Sequence, residues 1–112
     1  MINYNQRIFK SVSNSETGEV SAETRFKYQQ QDNLVWAEDN GGEIIFGILI
    51  AKVVENDGLE MRYQDLNSKG ELMAGRCFST PQRLSNGKIR LLEKWQWTSG
   101  YFSSGESVIE EI

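Results

Sequence analysis

Residues 89–98 read IRLLEKWQWT, and their alternation is the strongest indication of the fold in this chain. Its odd positions carry large apolar side chains on either side of Glu93, whereas its even positions are mostly polar. In a β-strand, successive side chains point to opposite faces of the sheet, so this alternation predicts one apolar and one solvent-facing side. Helical spacing would not separate the two sets in this way. The odd positions, which include Trp95 and Trp97, are therefore predicted to line the inner face of a strand.

Glycine-containing turn signals divide the rest of the chain into short segments of the same kind. They lie at Thr17-Gly18, Asn40-Gly41-Gly42, Asn56-Asp57-Gly58, Lys69-Gly70 and Asn86-Gly87. Because each segment runs into the next through a tight turn, the pattern is typical of an antiparallel meander. The clearest other segment runs from Val20 to Gln29, where Phe26 and Tyr28 share the apolar parity.

Eight strands account for nearly the whole chain. They are predicted at residues 7–14, 20–29, 34–38, 43–55, 58–64, 71–80, 89–98 and 107–112. Eight antiparallel strands suffice to close a barrel that is either filled by side chains or able to hold one small ligand. The sequence therefore predicts an all-β fold, an eight-stranded antiparallel up-and-down meander barrel with little or no helix. A single domain, residues 1–112, is expected because no linker or second core remains to be placed.

The fourth and sixth strands depart from simple alternation. Both parities of the fourth strand are apolar, with Ile45, Leu49, Ala51 and Val53 on one face and Ile44, Phe46, Ile48 and Ile50 on the other. Since a barrel wall buries only its inner face, a second copy of the chain is expected to cover the outer one, giving a homodimer. In the sixth strand neither parity is clearly apolar, so its inward face stays open. Pro81 is expected to end that strand because proline has no N–H to donate.

Charge and composition exclude several classes of partner. The net charge is −4 and the 12 Lys and Arg residues are scattered, so no nucleic-acid partner is expected. No stretch approaches the roughly 20 apolar residues of a membrane-spanning helix, and the first residues do not resemble a signal peptide, so no membrane partner is expected. Cys77 is the single cysteine, which excludes an internal disulfide and favours a reducing, cytoplasmic location.

The sequence lacks the residue on which acid–base and nucleophilic catalysis most often depend. The chain has no histidine, so Cys77 and the serines lack the usual general base, and no catalytic residue is predicted. No metal site is predicted, because Glu106, Glu110 and Glu111 are typical of a solvated strand edge. No glycine-rich phosphate-binding motif is present, and no cofactor is expected. Cys77 is expected to be a small buried apolar residue rather than a reactive thiol.

Glu93 is the position that breaks the pattern of its strand. It lies on the apolar parity between Leu91 and Trp95, where burial of an unpaired carboxylate costs several kcal/mol unless its pKa rises or a cation pairs with it. Arg76 is the candidate cation, provided that the even face of the sixth strand points inward. Two interpretations stay open: a structural carboxylate, paired or at the barrel mouth, and a polar anchor for a ligand.

Aromatic side chains are expected to accompany Glu93. Trp95 and Trp97 lie two residues apart and project to the same side, where Phe26 and aromatic side chains of other strands are expected to join them. These rings either fill the barrel as core or form the walls of a pocket. For the pocket, the predicted ligand-binding residues are Tyr28, Tyr63, Arg76, Glu93, Trp95 and Trp97.

The chain also resembles a known family. The resemblance is carried by Gly70-Glu71-Leu72-Met73, Asn86-Gly87-Lys88-Ile89 and Glu93-Lys94-Trp95-Gln96-Trp97, which are similar to segments of a family of small bacterial proteins. Members are often labelled N-acetylglutamate synthase, which implies acetyl transfer to glutamate. The family is also similar to avidin-like and lipocalin-like meander barrels. No acetyl-CoA loop opening a helix supports that label. The lipocalin GxW motif is absent near the N-terminus and no biotin-binding set of residues can be placed, so the resemblance implies the architecture and transfers no site residue.

Three functional hypotheses result. The first is a cytoplasmic, non-catalytic barrel that binds a small, partly apolar ligand at its mouth. The alternative is an interaction or structural protein that dimerises through the outer face of the fourth strand. Acetyl transfer is the third hypothesis, and it depends on the family label alone.

Overall fold

The barrel consists of eight strands that follow one another around a closed sheet. A computed structural model describes residues 1–14, 18, 20–100 and 102–112. The strands are β1 (Ile8–Asn14), β2 (Arg25–Gln31), β3 (Leu34–Gly41), β4 (Ile44–Val53), β5 (Leu59–Asn67), β6 (Leu72–Arg83), β7 (Ile89–Trp97) and β8 (Ser104–Glu111). Each strand pairs antiparallel with its neighbour in sequence, and β8 closes the barrel on β1. The predicted eight-stranded meander barrel is confirmed.

Almost none of the described residues are helical. A single turn of 3-10 helix, Glu55–Asp57, joins β4 to β5. Among the described residues, no helix has the length and apolar character needed to cross a membrane.

Alternation of side chains between lumen and exterior holds along most of the barrel wall. In β7 the odd positions Ile89, Leu91, Trp95 and Trp97 are buried, as predicted. Their even neighbours lie on the outer side, where Arg90 forms an ion pair with Glu110 of β8 at 2.8 Å. The inner side chains pack into one apolar core that removes them from water, which stabilises the closed sheet.

The structure identifies the inward face of β6. Gly75, Cys77 and Ser79 are buried, so the odd positions point into the barrel. The expectation that Pro81 ends the strand is wrong, because β6 continues to Arg83 and Pro81 pairs with Leu91 of β7. The β5–β6 ladder has already ended at Ser79, which leaves one edge of β6 unpaired, and an unpaired edge tolerates a proline.

A β-bulge changes the faces assigned to the start of β4. Its pairing with β5 shifts register between Ile44 and Phe46. As a result Ile44 is buried while Ile45 and Phe46 are both exposed, so the predicted grouping of Ile44 with Phe46 on one face, and of Ile45 with Leu49 on the other, is wrong. A bulge inserts one extra residue and thereby reverses the parity beyond it.

The predicted boundaries of β2 and β8 also need correction. Residues 20–24 do not belong to β2, because a turn forms there in which the Thr24 amide donates to the Ser21 carbonyl. Conversely, β8 begins at Ser104 rather than at residue 107. The predicted turn at Thr17-Gly18 includes Thr17, which lies outside the described residues. The sequence also predicts a Gly- and Ser-rich loop from Ser99 to Gly105, and its Tyr101 lies outside the described residues as well.

Residues 1–7, here called the N-terminal plug, close one end of the barrel. Ile2 and Tyr4 are buried, and Tyr4 contacts Tyr28 with a ring-centroid distance of 6.3 Å. The Tyr4 hydroxyl donates to the Asp57 carbonyl oxygen at 2.5 Å, and the Ile2 amide donates to the Asp57 carboxylate at 3.1 Å. Because Asp57 lies in the β4–β5 connection, these bonds tie the plug across the end that carries that connection. A cavity lies at the opposite end.

Candidate functional site

A cavity of about 60 Å³ occupies the barrel at the end opposite the plug. A buried water needs roughly 10–15 Å³ of such space, so the cavity has room for a few waters or for one end of a small organic molecule. The residues that line it come from the β1–β2 connection and from inner positions of the strands: Asn14, Gly18, Val20, Phe26, Tyr28, Asp39, Ile44, Leu49, Met61, Tyr63, Gln64, Asp65, Cys77, Glu93, Trp95, Trp97 and Ser107.

Aromatic rings form one wall of the cavity. Trp95 and Trp97 lie 6.0 Å apart between ring centroids, and Trp97 meets Tyr63 edge to face at 5.4 Å. Tyr63 covers Gly75, its partner in β6, and a Cβ at position 75 would lie 2.3 Å from the Tyr63 ring. Glycine at this position therefore provides the space that the tyrosine ring occupies. Such an edge-to-face arrangement holds the rings in defined positions beyond what apolar burial alone does.

Glu93 is held in the lumen by serines from both neighbouring strands. The Ser79 hydroxyl of β6 donates to Glu93 Oε2 at 2.9 Å, and the Ser107 hydroxyl of β8 donates to Oε1 at 3.2 Å. Both serines are the direct cross-strand partners of Glu93, so the register of three strands fixes the carboxyl group. The side chain is half-buried and lines the cavity.

The environment of Glu93 disfavours its charged form. Desolvation by burial raises the pKa of the Glu93 carboxyl from 4.5 to about 7, although the hydrogen bonds from the serines act in the opposite direction. A carboxyl group in this state changes its charge near neutral pH, which is a property found more often at functional sites than in purely structural cores.

Five of the six predicted ligand-binding residues line the cavity together: Tyr28, Tyr63, Glu93, Trp95 and Trp97. Arg76 does not. It lies exposed on the outer face of β6, where its guanidinium group donates to Gln96 Oε1 at 2.7 Å. The predicted contact between Arg76 and Glu93 required an inward even face and does not form.

Two further acidic residues of the lumen, Asp39 and Asp65, were not predicted from the sequence. Both are buried and line the cavity. Asp39 lies over Gly47, where a Cβ would come within 2.7 Å of the carboxylate. Asp65 could have been predicted, because it shares the parity of the apolar Met61 on β5. Asp39 could not, because β3 was predicted to end at residue 38.

Burial also affects the Tyr28 hydroxyl and the Cys77 thiol, which both line the cavity. The Tyr28 hydroxyl is fully buried and has no hydrogen-bond partner among the described residues. Burial is the main cause that raises the pKa of Tyr28 well above its ordinary value, and the nearby Glu93 adds to it. Burial likewise raises the pKa of the Cys77 thiol, followed by the effect of Glu93. Cys77 is therefore held as a thiol rather than as a nucleophilic thiolate.

A closed meander barrel with one end plugged and a cavity at the other defines a class of protein compatible with binding a small ligand. The model of the avidin-like protein family matches residues 2–112. The chain belongs to this avidin-like family. No curated protein and no solved structure gives a significant match. The avidin-like part of the resemblance is thus supported, whereas the N-acetylglutamate synthase label gains no support.

Proposed function

We propose that this protein binds a small, partly apolar molecule in the open end of its barrel and does not catalyse a reaction. The observation that supports this most is Glu93, a carboxyl group held by two serines beside an aromatic wall and next to empty space. A polar group among apolar and aromatic walls is the usual composition of a small-molecule site. The single cysteine, which is buried and unpaired, supports a reducing, cytoplasmic location. Residues 1–112 would act as one domain.

Energetics support a functional role for Glu93. Burying a carboxyl group without an ion-pair partner costs free energy, because the lumen solvates the charged form less well than water does. Glu93 has no ion-pair partner among the described residues, so its burial lowers the stability of the free protein. A ligand that contacts this carboxyl group would provide the reason for its position.

Intrinsic tryptophan fluorescence tests the proposal, because two of the three tryptophans line the cavity and the third does not. Screening purified protein against metabolite fractions is expected to reveal a saturable change in emission. The change should persist in Trp36→Phe, since Trp36 lies on the outer face of β3, and should be lost in the double variant Trp95→Phe, Trp97→Phe. Circular dichroism would verify that both variants fold. If no compound in a broad library changed the tryptophan emission of the wild-type protein, the proposal would be wrong.

The second candidate function is self-association through an apolar outer face. This outer β3–β4 patch consists of Leu34, Trp36, Phe46, Ile48 and Ile50, which are 38–57% exposed. Trp36 and Ile50 are direct cross-strand partners, so the exposed side chains are contiguous. Beside the patch, Lys52 and Glu60 of opposite charge lie 3.6 Å apart. A face with an apolar centre and both charges at its edge suits a second copy of the same chain related by a two-fold axis.

Sedimentation velocity distinguishes this second candidate. The wild-type protein is expected to sediment as a dimer at high micromolar concentration, and Phe46→Lys is expected to be a monomer because it places a charge in the apolar centre. Phe78→Lys is the matched control, since Phe78 is 45% exposed on β6 outside the patch. A wild-type monomer at every concentration would contradict self-association.

A further inference from the structure

We propose that the lumen selects an organic cation, an amine or ammonium compound whose charged head lies beside Glu93. This inference rests on the proposed ligand-binding function and names the chemical class of the ligand. It follows from three independent features of the cavity: its charge, its aromatic wall and its unused hydrogen-bonding capacity.

The charge of the lining is one-sided. Asp39, Asp65 and Glu93 bring three carboxyl groups to a single small cavity. No lysine or arginine is found among the described residues that line it. The chain places its cations elsewhere, as shown by Arg76 on the outer face and by Arg7, which pairs with Glu111 on the side of the plug. Such a lining attracts a cation and repels an anion.

The aromatic wall suits the same charge. Tyr63, Trp95 and Trp97 line the same cavity as Glu93 and contact one another there. The face of an aromatic ring carries partial negative charge, and tryptophan is the side chain that attracts cations most strongly in this way. An alkyl or aryl ammonium compound would place its apolar part against the rings and its charge within reach of them.

Hydrogen-bonding capacity remains available at the centre of the cavity. The hydroxyls of Ser79 and Ser107 and the thiol of Cys77 donate to the Glu93 carboxyl group, whereas an ionised carboxylate offers about four acceptor positions in total. The buried Tyr28 hydroxyl, without a partner among the described residues, offers a further acceptor close to Glu93. Because a buried polar group without a partner is costly, this hydroxyl is a separate indication that a polar ligand group completes the site.

A matched set of probes tests the selectivity of the wild-type protein: butylammonium, butanol and butyrate, which share a chain and differ in charge. Titration near pH 8, followed by tryptophan fluorescence and two-dimensional NMR, is expected to show butylammonium binding at least about tenfold more tightly than butanol, and butyrate more weakly still. Choline and its neutral carbon isostere provide a second pair in which only the charge differs.

Variants test whether the preference for butylammonium over butanol depends on Glu93. Glu93→Gln is expected to weaken butylammonium binding by about tenfold or more and to leave butanol binding within about twofold. Glu38→Gln is the matched control, because Glu38 lies exposed on the outer face of β3 and its neutralisation changes the net charge equally. Both affinities should be unchanged in this control.

The pH dependence provides a readout that needs no mutation. Since the pKa of Glu93 is about 7, butylammonium affinity is expected to rise by up to about tenfold between pH 6 and pH 8 as the carboxyl group ionises. Butanol affinity should stay nearly constant. The titratable groups that face the same cavity from the neighbouring strands are Tyr28 of β2, Asp39 of β3, Tyr63 and Asp65 of β5, and Cys77 of β6.

The outcomes separate this inference from the function on which it rests. If butanol or butyrate binds as tightly as butylammonium, the selection of a cation is wrong while the ligand-binding function stands. If the neutral and anionic probes, the cations and the metabolite screen all fail to bind, the ligand-binding function itself is wrong.

Discussion

Glu93→Gln is expected to make the protein more stable at pH 8 and to leave its stability nearly unchanged at about pH 4. The folded state raises the pKa of this carboxyl group from 4.5 to about 7. At a pH below the pKa of the unfolded chain, the carboxyl group is protonated in both the folded and the unfolded state. It then does not lower the free energy of unfolding. As the pH rises towards the folded value, the unfolded chain ionises first, and folding then has to keep the carboxyl protonated or bury its charge.

The size of this effect follows from the change in pKa. It corresponds to about 3 kcal/mol of unfolding free energy at pH 8, which glutamine at position 93 would recover in large part because it is neutral and still bonds to both serines. The expected difference between variant and wild type is about 2–3 kcal/mol at pH 8. Urea denaturation of the two proteins at both pH values measures it.

The control for this prediction is Glu38→Gln, whose exposed carboxyl group should give no comparable pH-dependent difference. Comparing variant with wild type at the same pH cancels the titration of other groups to a first approximation. If Glu93→Gln were less stable than wild type at both pH values, Glu93 would be a structural partner in the fold rather than a site held for a ligand.

Tyr4→Ala is expected to lower the free energy of unfolding by about 3–5 kcal/mol, the range found for truncating a fully buried aromatic side chain. Tyr4 has no exposed surface, contacts the Tyr28 ring and bonds to the Asp57 carbonyl. Its loss would leave a void under the lumen and release the plug from the β4–β5 connection. Thermal or urea unfolding followed by circular dichroism provides the measurement.

Tyr4→Phe is the matched control, because it keeps the ring and removes only the hydroxyl. This variant should lose about 1 kcal/mol, the net contribution of one hydrogen bond. Equal losses for phenylalanine and alanine would show that the bond to Asp57, and not the packing of the ring, holds the plug in place.

The charge of Glu93 connects the expected loss of stability above pH 7 with the expected binding of a cation. A lumen that destabilises the free protein above pH 7 and binds a cation at the same carboxyl group would recover stability on binding, because the ligand contacts the folded state alone. The cost in the free protein and the affinity for the ligand would then have the same origin.

The pattern of residues along the chain was sufficient to predict the class of fold and much of the lumen. Side-chain direction in a strand reverses at every residue, so parity is a local property that the chain carries without knowledge of its neighbours. This is why the inward positions of β7, including Glu93, Trp95 and Trp97, and the inward position of Tyr28 on β2 were predicted correctly. Glycine-rich turns at short intervals then left a closed meander as the simplest arrangement.

The features that depend on pairing between strands could not be predicted and follow from the folded barrel. The inward face of β6, and with it the outward position of Arg76, follows from the register with β5 and β7, since its own sequence favours neither face. The bulge beside Ile45 reverses parity through a mismatch with β5 that no local pattern reveals. Closure of the sheet brings Tyr4 to Asp57, because contacts between residues far apart in sequence exist only once the barrel has formed.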